Sequence, residues 1–510
     1  MTKEELYDKF LKMWKSITLL GHTTDLLDWD RETFMPKGES ETRAEQMAML
    51  AEMIHQKITD DRLFDILSDL VLLDFKGNFH LSIYERANIC EAMRAVKLAK
   101  ALPADLVVAL AKETSLASKI WQEAREKNSF NDFAPALAKI ISLSREKAAA
   151  YMAAGIGTSP YEALFFEYED GISLAEVDAI FDKLRAELPP LVKTVMLFEP
   201  PNDSFLSKHY PKEFQEKFSR EIITAMGLDW NRCRIDTSTH PFTCSPAYGS
   251  PRITTRYDEN NLIDALFSAI HEAGHALYEQ GLPQEFAYQP IGAACSLSVH
   301  ESQSRFWEAW LGRSYPFWAI FFRKLYSTFP KQLSGVTDKA FYRAVNRANI
   351  GFIRTDSNPL TYNLHILLRK DIEKAMIDNA CAIDDLPAFW NELFKKYFGI
   401  EVPDDRRGIL QDVHWSCGLI GYFPTYTLGN IISAQLYKEI ENEIPWSSMF
   451  ENGGSCHAFR KWLLEKIHSH GSLYKTQELV KIATGQSISA DVFMVQLKER
   501  YSDVYNTNLL

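Results

Sequence analysis

Several features that mark exported or disulfide-rich proteins are missing from this sequence. Only seven of its 510 residues are cysteines, and none of them belongs to a C-x-x-C pair. An odd number of scattered cysteines favours reduced thiols over a disulfide framework. The first residues, Met-Thr-Lys-Glu-Glu-Leu-Tyr-Asp, also lack the basic and then apolar segments of a secretory signal. We therefore expect a cytoplasmic protein.

Long apolar runs and an excess of positive charge are missing as well. No stretch of the sequence reaches the roughly 20 apolar residues that a membrane-spanning helix requires. The formal net charge of −12 argues against nucleic acid or an anionic membrane as a general partner. The chain is 46% hydrophobic and 24% charged, which is typical of a globular protein large enough for more than one lobe.

Helical periodicity covers most of the chain. Near the N-terminus, apolar residues recur at the spacing of one helix face: Leu6, Phe10, Met13, Trp14, Ile17 and Leu20. Further on, Ser173-Leu-Ala-Glu176 forms a capping box that predicts the start of a helix, and Pro189-Pro190 predict its end. Because Pro200-Pro201 add a second break, we predict one helical lobe over residues 1–200 and another lobe over residues 201–510.

The helical pattern is interrupted at residues 233–257, where the residue composition changes. Two stretches, Cys233–Phe242 and Gly249–Tyr257, are rich in Thr, Ile, Tyr and turn residues, which predicts two short strands. Helical periodicity returns immediately afterwards and dominates the rest of the chain. The predicted fold is therefore mainly α with a small β-sheet, and such a sheet could bind an extended peptide by strand addition.

The most informative stretch is the HEAGH motif at residues 271–275, which has the form H-E-x-x-H. The apolar pattern of residues 261–270 places this motif on a helix, so His271 and His275 lie on one face about one turn apart. That spacing lets both imidazoles bind one zinc ion and leaves Glu272 beside the open coordination position. The motif therefore predicts a catalytic zinc site.

The motif itself does not identify the third protein ligand of this site. The metzincin pattern would continue with a glycine at position 278 and a histidine at position 281, whereas the chain has Tyr278 and Gly281. The best candidate is Glu301, at the start of an aromatic-rich amphipathic segment, because a glutamate on a following helix can complete such a site. Glu279 and Glu308 are alternative ligands.

Several blocks in this order resemble the signature of the carboxypeptidase Taq family. They are HPF at 240–242, HEAGH at 271–275, HESQ at 300–303, IRTDSNPLTYNLH at 353–365 and GILQDVHW at 408–415. The early Trp29-Asp…Met35-Pro-Lys-Gly38 is similar to the N-terminal segment of that family. The length and the order of the blocks match as well, so the resemblance covers essentially the whole chain.

The resemblance implies a cytoplasmic, zinc-dependent metallocarboxypeptidase that removes C-terminal residues from peptides. It implies a helical, saddle-shaped fold in which the lobe at residues 1–200 covers a deep groove and the lobe at residues 201–510 holds the zinc site. Homodimers are usual in the family, and Co²⁺ often replaces Zn²⁺. Carried over to this chain, His271, His275 and Glu301 are the metal ligands, and Glu272 is the general base.

The same resemblance implies roles for residues outside the metal site. Arg354 would bind the C-terminal carboxylate of the substrate, for which the planar fork of a guanidinium is well suited. Tyr426 would stabilise the oxyanion, with Tyr422 as a competing candidate. We further expect His240 among the catalytic residues. His414 and Arg252 are expected among the residues that bind substrate.

Two blocks depart from the family pattern. The D-x-R-x-T block has Ser250 in place of its aspartate, and the I-R-x-x-A-D block has Asn358 in place of its final aspartate. We expect these changes to alter substrate preference or reduce activity rather than prevent metal binding. Two other functions remain open from the sequence: a zinc oligopeptidase that cuts internal bonds, and a weakly active homologue that mainly binds peptides.

Overall fold

Helices make up most of the structure, a computed structural model that describes residues 2–77, 80–448 and 454–510. The α-helices within these residues are α1 Lys3–Thr33, α2 Ser40–Ile58, α3 Asp61–Phe75, α4 Ile83–Ala101, α5 Ala104–Lys127, α6 Phe130–Ala153, α7 Pro160–Tyr168, α8 Leu174–Val195, α9 Lys212–Met226, α10 Leu262–Gly281, α11 Leu297–Arg305, α12 Tyr315–Thr328, α13 Asp338–Val345, α14 Tyr362–Ile377, α15 Leu386–Phe398, α16 Pro424–Glu443, α17 His457–Lys466, α18 Thr476–Thr484 and α19 Ala490–Tyr505. A π-helical turn, Phe306–Leu311, continues α11. The strands are β1 Arg234–Thr237, β2 Thr243–Cys244 and β3 Arg252–Thr255. The prediction of a mainly α fold with a small sheet is confirmed.

The chain forms two compact units, each built from discontinuous segments. The first unit comprises Met1–Ala99, Asn202–Val345 and Ile432–Ile488, and the second comprises Lys100–Pro201, Asn346–Ile431 and Ser489–Leu510. The predicted lobe boundary near residue 200 coincides with one point at which the chain passes from the second unit to the first. The chain passes between the units at other points too, where the sequence has no comparable Pro-Pro break.

Helix α10 lies at the centre of the first unit and packs against α9, α11 and β3. It is apolar on several faces, so most of its side chains are buried. At Gly274, a Cβ atom would lie 2.6 Å from Ser304 Cα, which is too close for any side chain. The glycine of the HEAGH motif therefore allows α11 to approach α10 closely, and this approach brings Glu301 near the two histidines.

The sheet lies against the same helix. Strand β3 is central, pairing in parallel with β1 and antiparallel with β2. Strands β1 and β3 fall inside the two predicted stretches, while the two-residue strand β2 lies between them. The sheet is fixed to the helix by the packing of buried β3 on α10. The Thr255 hydroxyl adds only a long hydrogen bond to the Ala265 carbonyl, at 3.4 Å.

Helix α14 has the corresponding position in the second unit. It packs against α6, α7, α8 and α15, and nearly all of its side chains are buried, including the charged groups of Arg369 and Glu373. Buried charges require charged or hydrogen-bonding partners. Those partners, described below, make the surroundings of α14 a strongly charged region.

One prediction about this unit is wrong. The capping box at Ser173 does begin α8, but the helix continues through Pro189 and Pro190 to Val195. A proline inside a helix removes a backbone hydrogen bond and costs about 3 kcal/mol. Here the residues on both sides of the prolines, Leu188 and Leu191–Val192, are buried, and this packing favours the helical path beyond the usual stop signal.

Candidate metal centre and arginine cluster

The HEAGH motif and α11 bring three potential metal ligands together. Glu301 Oε2 lies 3.6 Å from His271 Nε2 and 3.4 Å from His275 Nε2. These separations fit ligands around one ion, since two ligands at about 2.05 Å in tetrahedral geometry are roughly 3.3 Å apart. Within the described residues, this is the group of His, Cys, Asp and Glu side chains with metal-ligand spacing.

The two alternative glutamates lie on the outer side of the histidines. Glu308, in the π-helical turn, accepts a hydrogen bond from His271 Nδ1 at 3.0 Å and from Arg305 at 2.6 Å. Glu279 lies 2.9 Å from His300 Nε2. Both carboxylates thus contact atoms that point away from the ligand group, whereas Glu301 contacts the Nε2 atoms.

The contacts of His271 with Glu308 and of His275 with His300 set the tautomers of these two candidate ligands. A carboxylate only accepts, so Glu279 places the proton of neutral His300 on Nε2 and leaves its Nδ1 as an acceptor. His275 Nδ1, 2.6 Å from His300 Nδ1, is then the donor. Because the Nδ1 atom of His271 donates to Glu308 in the same way, both Nε2 atoms face Glu301 and are the atoms available to a metal ion. Hydrogen bonds of this kind orient and strengthen metal-binding imidazoles.

Two buried carboxylates, those of Glu301 and Glu308, act on His271 in the ligand group. Burial lowers the pKa of His271, but Glu301 and Glu308 outweigh it and raise this pKa to about 9. Burial lowers the pKa of His275 to about 4. The pKa of Glu301 is about 2, because the two histidines outweigh the effect of burial. A field that draws a proton onto an imidazole also favours a divalent cation, so these residues fit a metal ion.

Glu272 lies beside the ligands and is only 6% exposed. Burial raises the pKa of its carboxyl, although His271 opposes the shift. Its Oε2 atom accepts a hydrogen bond of 2.6 Å from the hydroxyl of Thr243 in β2. Sequence reasoning missed Thr243, although it directly follows the HPF block.

A second charged cluster surrounds Arg354 in the second unit. The Nε and NH2 groups of Arg354 lie 3.0 and 2.9 Å from Asp412 Oδ1, and its NH1 group donates to the Tyr362 hydroxyl at 3.0 Å. The other oxygen of Asp412 accepts from Arg369 Nε at 2.6 Å. The two guanidinium groups outweigh burial and hold the pKa of Asp412 well below its usual range.

The aromatic candidates lie in the same cluster. Tyr426 has its ring centroid 5.1 Å from the Arg354 guanidinium carbon, and its hydroxyl is 3.2 Å from His414 Nε2. Tyr422, the competing tyrosine, stacks edge-on against Tyr426 with centroids 5.4 Å apart. The structure therefore brings Arg354, His414 and both tyrosines together. Asp412 was missed by sequence reasoning, although it lies in the GILQDVHW block.

The other two predicted residues lie at the sheet of the first unit. His240 is exposed in the segment between β1 and β2, and its backbone carbonyl accepts a hydrogen bond from the Ser238 hydroxyl at 2.6 Å. The Arg252 guanidinium carbon is 4.0 Å from the ring centroid of Trp29, so the two groups stack. Trp29 belongs to the N-terminal segment that resembles the family.

The two departures from the family pattern have local structural partners. Ser250 donates to the Arg232 carbonyl at 3.1 Å. Asn358 donates through Nδ2 to the carbonyl of Asn349 at 2.7 Å, while its Oδ1 accepts from the backbone of Leu360 and Thr361 just before α14. An aspartate could accept these backbone hydrogen bonds but could not donate to Asn349.

Comparisons with known proteins identify the family of this chain. A sequence model of the family described as Carboxypeptidase Taq (M32) metallopeptidase matches residues 9–501. Thermostable carboxypeptidase 1 of Thermus thermophilus is 37% identical, with 99% of this chain and 100% of that protein covered. Carboxypeptidase 1 of Bacillus subtilis is 34% identical, with coverage of 98% and 99%. The chain belongs to the carboxypeptidase Taq family.

Solved structures extend the similarity to the fold. The M32 carboxypeptidase of Deinococcus radiodurans superimposes with a TM-score of 0.92 at 35% identity, covering 99% of this chain and 100% of that one. As a member of this family, the protein is a metallocarboxypeptidase that hydrolyses peptides and binds a divalent metal ion. Among the described residues, no helix is both long and apolar enough to cross a bilayer.

Proposed function

We propose that this metallocarboxypeptidase uses a zinc ion held by His271, His275 and Glu301. The observation that carries the proposal is the approach of both Nε2 atoms to Glu301 Oε2, at 3.6 and 3.4 Å. Two imidazoles and one carboxylate form a donor set that catalytic zinc favours. When bound, zinc lowers the pKa of a water molecule towards 7 and polarises the scissile carbonyl. The same donors suit Co²⁺, which we expect as a substitute.

Glu272 is the general base in this proposal. It is adjacent to a ligand in the chain, and its raised pKa favours proton uptake. Glu272 takes a proton from the attacking water onto its carboxylate and later delivers it to the amine of the leaving residue. Because the carboxylate is buried, bulk water competes little for that proton.

Arg354 anchors the C-terminal carboxylate of the peptide. Its support is the charge of the cluster, in which Arg354 and Arg369 share the single carboxylate of Asp412. The described contacts of Arg354 leave part of its guanidinium fork available, and such a fork binds both oxygens of a carboxylate. An enzyme that removes terminal residues needs such an anchor, whereas an endopeptidase does not.

The remaining proposed roles concern groups that contact the peptide. Tyr426, hydrogen-bonded to His414, donates to the oxyanion as charge develops on the scissile carbonyl. His414 and Arg252 contribute to substrate binding. His240 is a further catalytic residue in this proposal, and its support is its place in the HPF block that resembles the family.

A digestion experiment tests the zinc, the base and the direction of cleavage in one sample. Metal analysis is combined with mass spectrometry of a peptide library incubated with the wild-type protein and with Glu272→Gln. We expect a single zinc ion per chain in both proteins, and peptides shortened from the C-terminus by the wild type alone. Internal cleavage, or undiminished release by zinc-loaded Glu272→Gln, would contradict the proposal.

We also propose a cytoplasmic homodimer. The support for the compartment is that the seven cysteines are free thiols, and the support for the assembly is the family resemblance. Light scattering during size-exclusion chromatography tests the assembly, for which we expect twice the chain mass of 58.4 kDa. A monomeric mass at micromolar concentration would contradict it.

A further inference from the structure

A threonine on the sheet contacts the general base at two points. The Thr243 hydroxyl lies 2.6 Å from Glu272 Oε2 and 3.1 Å from the backbone carbonyl oxygen of Glu272. Both partners can only accept, so the hydroxyl donates, and the shorter distance places the main hydrogen bond on the carboxylate. A hydrogen bond to an ionised acceptor is stronger than one to a neutral carbonyl.

The position of this hydroxyl is determined by the sheet. Thr243 pairs with Ile253, and the next residue of β2 pairs with Arg252. On the same strand pair, the Thr254 amide donates to the Phe242 carbonyl at 2.9 Å, and the Phe242 amide donates to the Thr254 hydroxyl at 3.0 Å. These bonds fix the segment before β2 to the central strand.

The central strand is in turn fixed to the helix that carries Glu272. Ile253, Thr254 and Thr255 are fully buried, and β3 packs directly on α10. The chain of contacts from α10 through β3 and β2 returns to Glu272 on the same helix. The hydroxyl is therefore held at a defined position relative to the backbone of the base.

We propose that Thr243 is a positioning residue for hydrolysis, holding Glu272 Oε2 so that Oε1 is the oxygen that exchanges the proton with the attacking water. This inference rests on the proposed role of Glu272 as the general base. A glutamate side chain has several rotatable bonds, so an untethered carboxylate spends part of its time in unproductive rotamers. A fixed donor removes those rotamers and keeps the carboxylate in reacting geometry.

A purely structural role is the competing explanation, because the hydroxyl also contacts a backbone carbonyl. Thr243→Val keeps the β-branched shape and removes the hydroxyl, while Thr243→Ser keeps the hydroxyl and removes the methyl. Thr255→Val is a matched control, since Thr255 also donates to the backbone of α10 but contacts no carboxylate in the described hydrogen bonds.

The experiment measures kcat, KM, bound zinc and the thermal midpoint for zinc-loaded proteins. For Thr243→Val we expect kcat to fall by about 10- to 100-fold, with KM within about twofold and zinc content unchanged. Thr243→Ser should retain most of the turnover, and Thr255→Val should keep wild-type kcat. An unchanged kcat in Thr243→Val, or an equal loss in Thr255→Val, would overturn the inference.

Two further variants separate this inference from the role of the base. Adding Thr243→Val to Glu272→Gln should cause no further loss of kcat, because a tether has no effect once its target is gone. If Glu272→Gln itself keeps full turnover, the proposed base is wrong. If Glu272→Gln abolishes turnover while Thr243→Val keeps wild-type kcat, only the role of Thr243 is wrong.

Should Thr243→Val fold poorly, the kcat ratio of Thr243→Ser to Thr243→Ala isolates the hydroxyl. A ratio near one would contradict the positioning role of Thr243.

Discussion

The metal centre and the arginine cluster are both buried and strongly charged, but their charges are opposite. In the first, the carboxylate of Glu301 faces the Nε2 atoms of two imidazoles, and the buried Glu272 follows one of them in the chain. In the second, two guanidinium groups share the carboxylate of Asp412. One arrangement favours a divalent cation and the other favours an anion. In the proposed function, the first group activates water and the second recognises the C-terminus of the peptide.

The two sites also differ in how they are built. The candidate metal centre depends on neighbouring helices, with two proposed ligands one turn apart and a third brought close by Gly274. The arginine cluster joins a 3₁₀ turn at Arg354, the helix α14 and the segment before His414. A site built from segments that are distant in the sequence is harder to predict, since no motif of fixed spacing describes it.

The largest effect is expected from the third ligand. Glu301→Gln replaces a charged donor with a neutral amide, so zinc affinity should fall by at least about 100-fold and turnover by about 1,000-fold or more. Peptide-carboxylate binding should persist, because the arginine cluster is untouched. Zinc content by mass spectrometry and equilibrium binding of a peptide would check both statements. Full zinc retention in Glu301→Gln would favour one of the other glutamates as the ligand.

The complementary change is Arg354→Met in the second unit. We expect kcat/KM for free C-terminal peptides to fall by about 100- to 1,000-fold, since a charged hydrogen-bonded anchor contributes about 3–4 kcal/mol. Zinc content should stay at the wild-type level. Arg354→Lys is the matched control, because it keeps the charge but loses the fork, and it should recover part of the loss. An Arg354→Met enzyme that also loses zinc would break the separation of the two sites.

A smaller effect is expected from the pH dependence of stability in the second unit. Burial raises the pKa of Glu373 to about 7, although Tyr161, Trp415 and the Gly421 amide donate hydrogen bonds to it. The folded state thus binds a proton more tightly than the unfolded state. This contribution, on the order of 3 kcal/mol, is present below about pH 4.5 and is lost as the pH rises through about 7.

Glu373→Gln removes that titration. Between pH 5 and pH 8, the thermal midpoint of the variant should therefore rise relative to that of the wild type. Differential scanning calorimetry at several pH values would check the trend. Parallel curves for the two proteins would mean that Glu373 has an ordinary pKa.

The smallest effect is expected where the sequence departs from the family pattern. Asn358→Asp places a carboxylate oxygen where Nδ2 now donates to the Asn349 carbonyl. We expect about 1–2 kcal/mol of destabilisation, the usual cost of a lost buried hydrogen bond, with zinc content unchanged. Chemical denaturation would measure it. Asn358→Asp that is more stable and more active than the wild type would support the earlier expectation that this departure reduces activity.

Much of the metal centre follows from the sequence, because its geometry is local. The spacing of His271 and His275 on an apolar helix predicts one shared ion. The segment that follows offers Glu301 as the best third ligand, and the family resemblance favours the same choice. The roles of Thr243 and Asp412 could not be read in this way, since each depends on a contact made through tertiary structure. A hydroxyl or a carboxylate in the sequence carries no sign of the partner that it will meet.

In the fold, too, local features are predictable from the sequence, whereas features that depend on tertiary packing are not. Helical periodicity predicts the α-rich architecture and the turn residues predict β1 and β3, because both signals are local. The two-residue strand β2 is too short to leave such a signal. The continuation of α8 through Pro189-Pro190 depends on burial of neighbouring leucines, and the discontinuous units depend on packing between segments distant in sequence.

The separation of the two sites is tested most directly by one ratio. The rate of release of the C-terminal residue is measured for a peptide with a free carboxylate and for the same peptide amidated, with zinc content determined in each sample. We predict that the wild type prefers the free acid by at least about 100-fold, and that zinc-loaded Arg354→Met loses this preference. A preference that survives in Arg354→Met would contradict the assignment of the arginine cluster to the C-terminus.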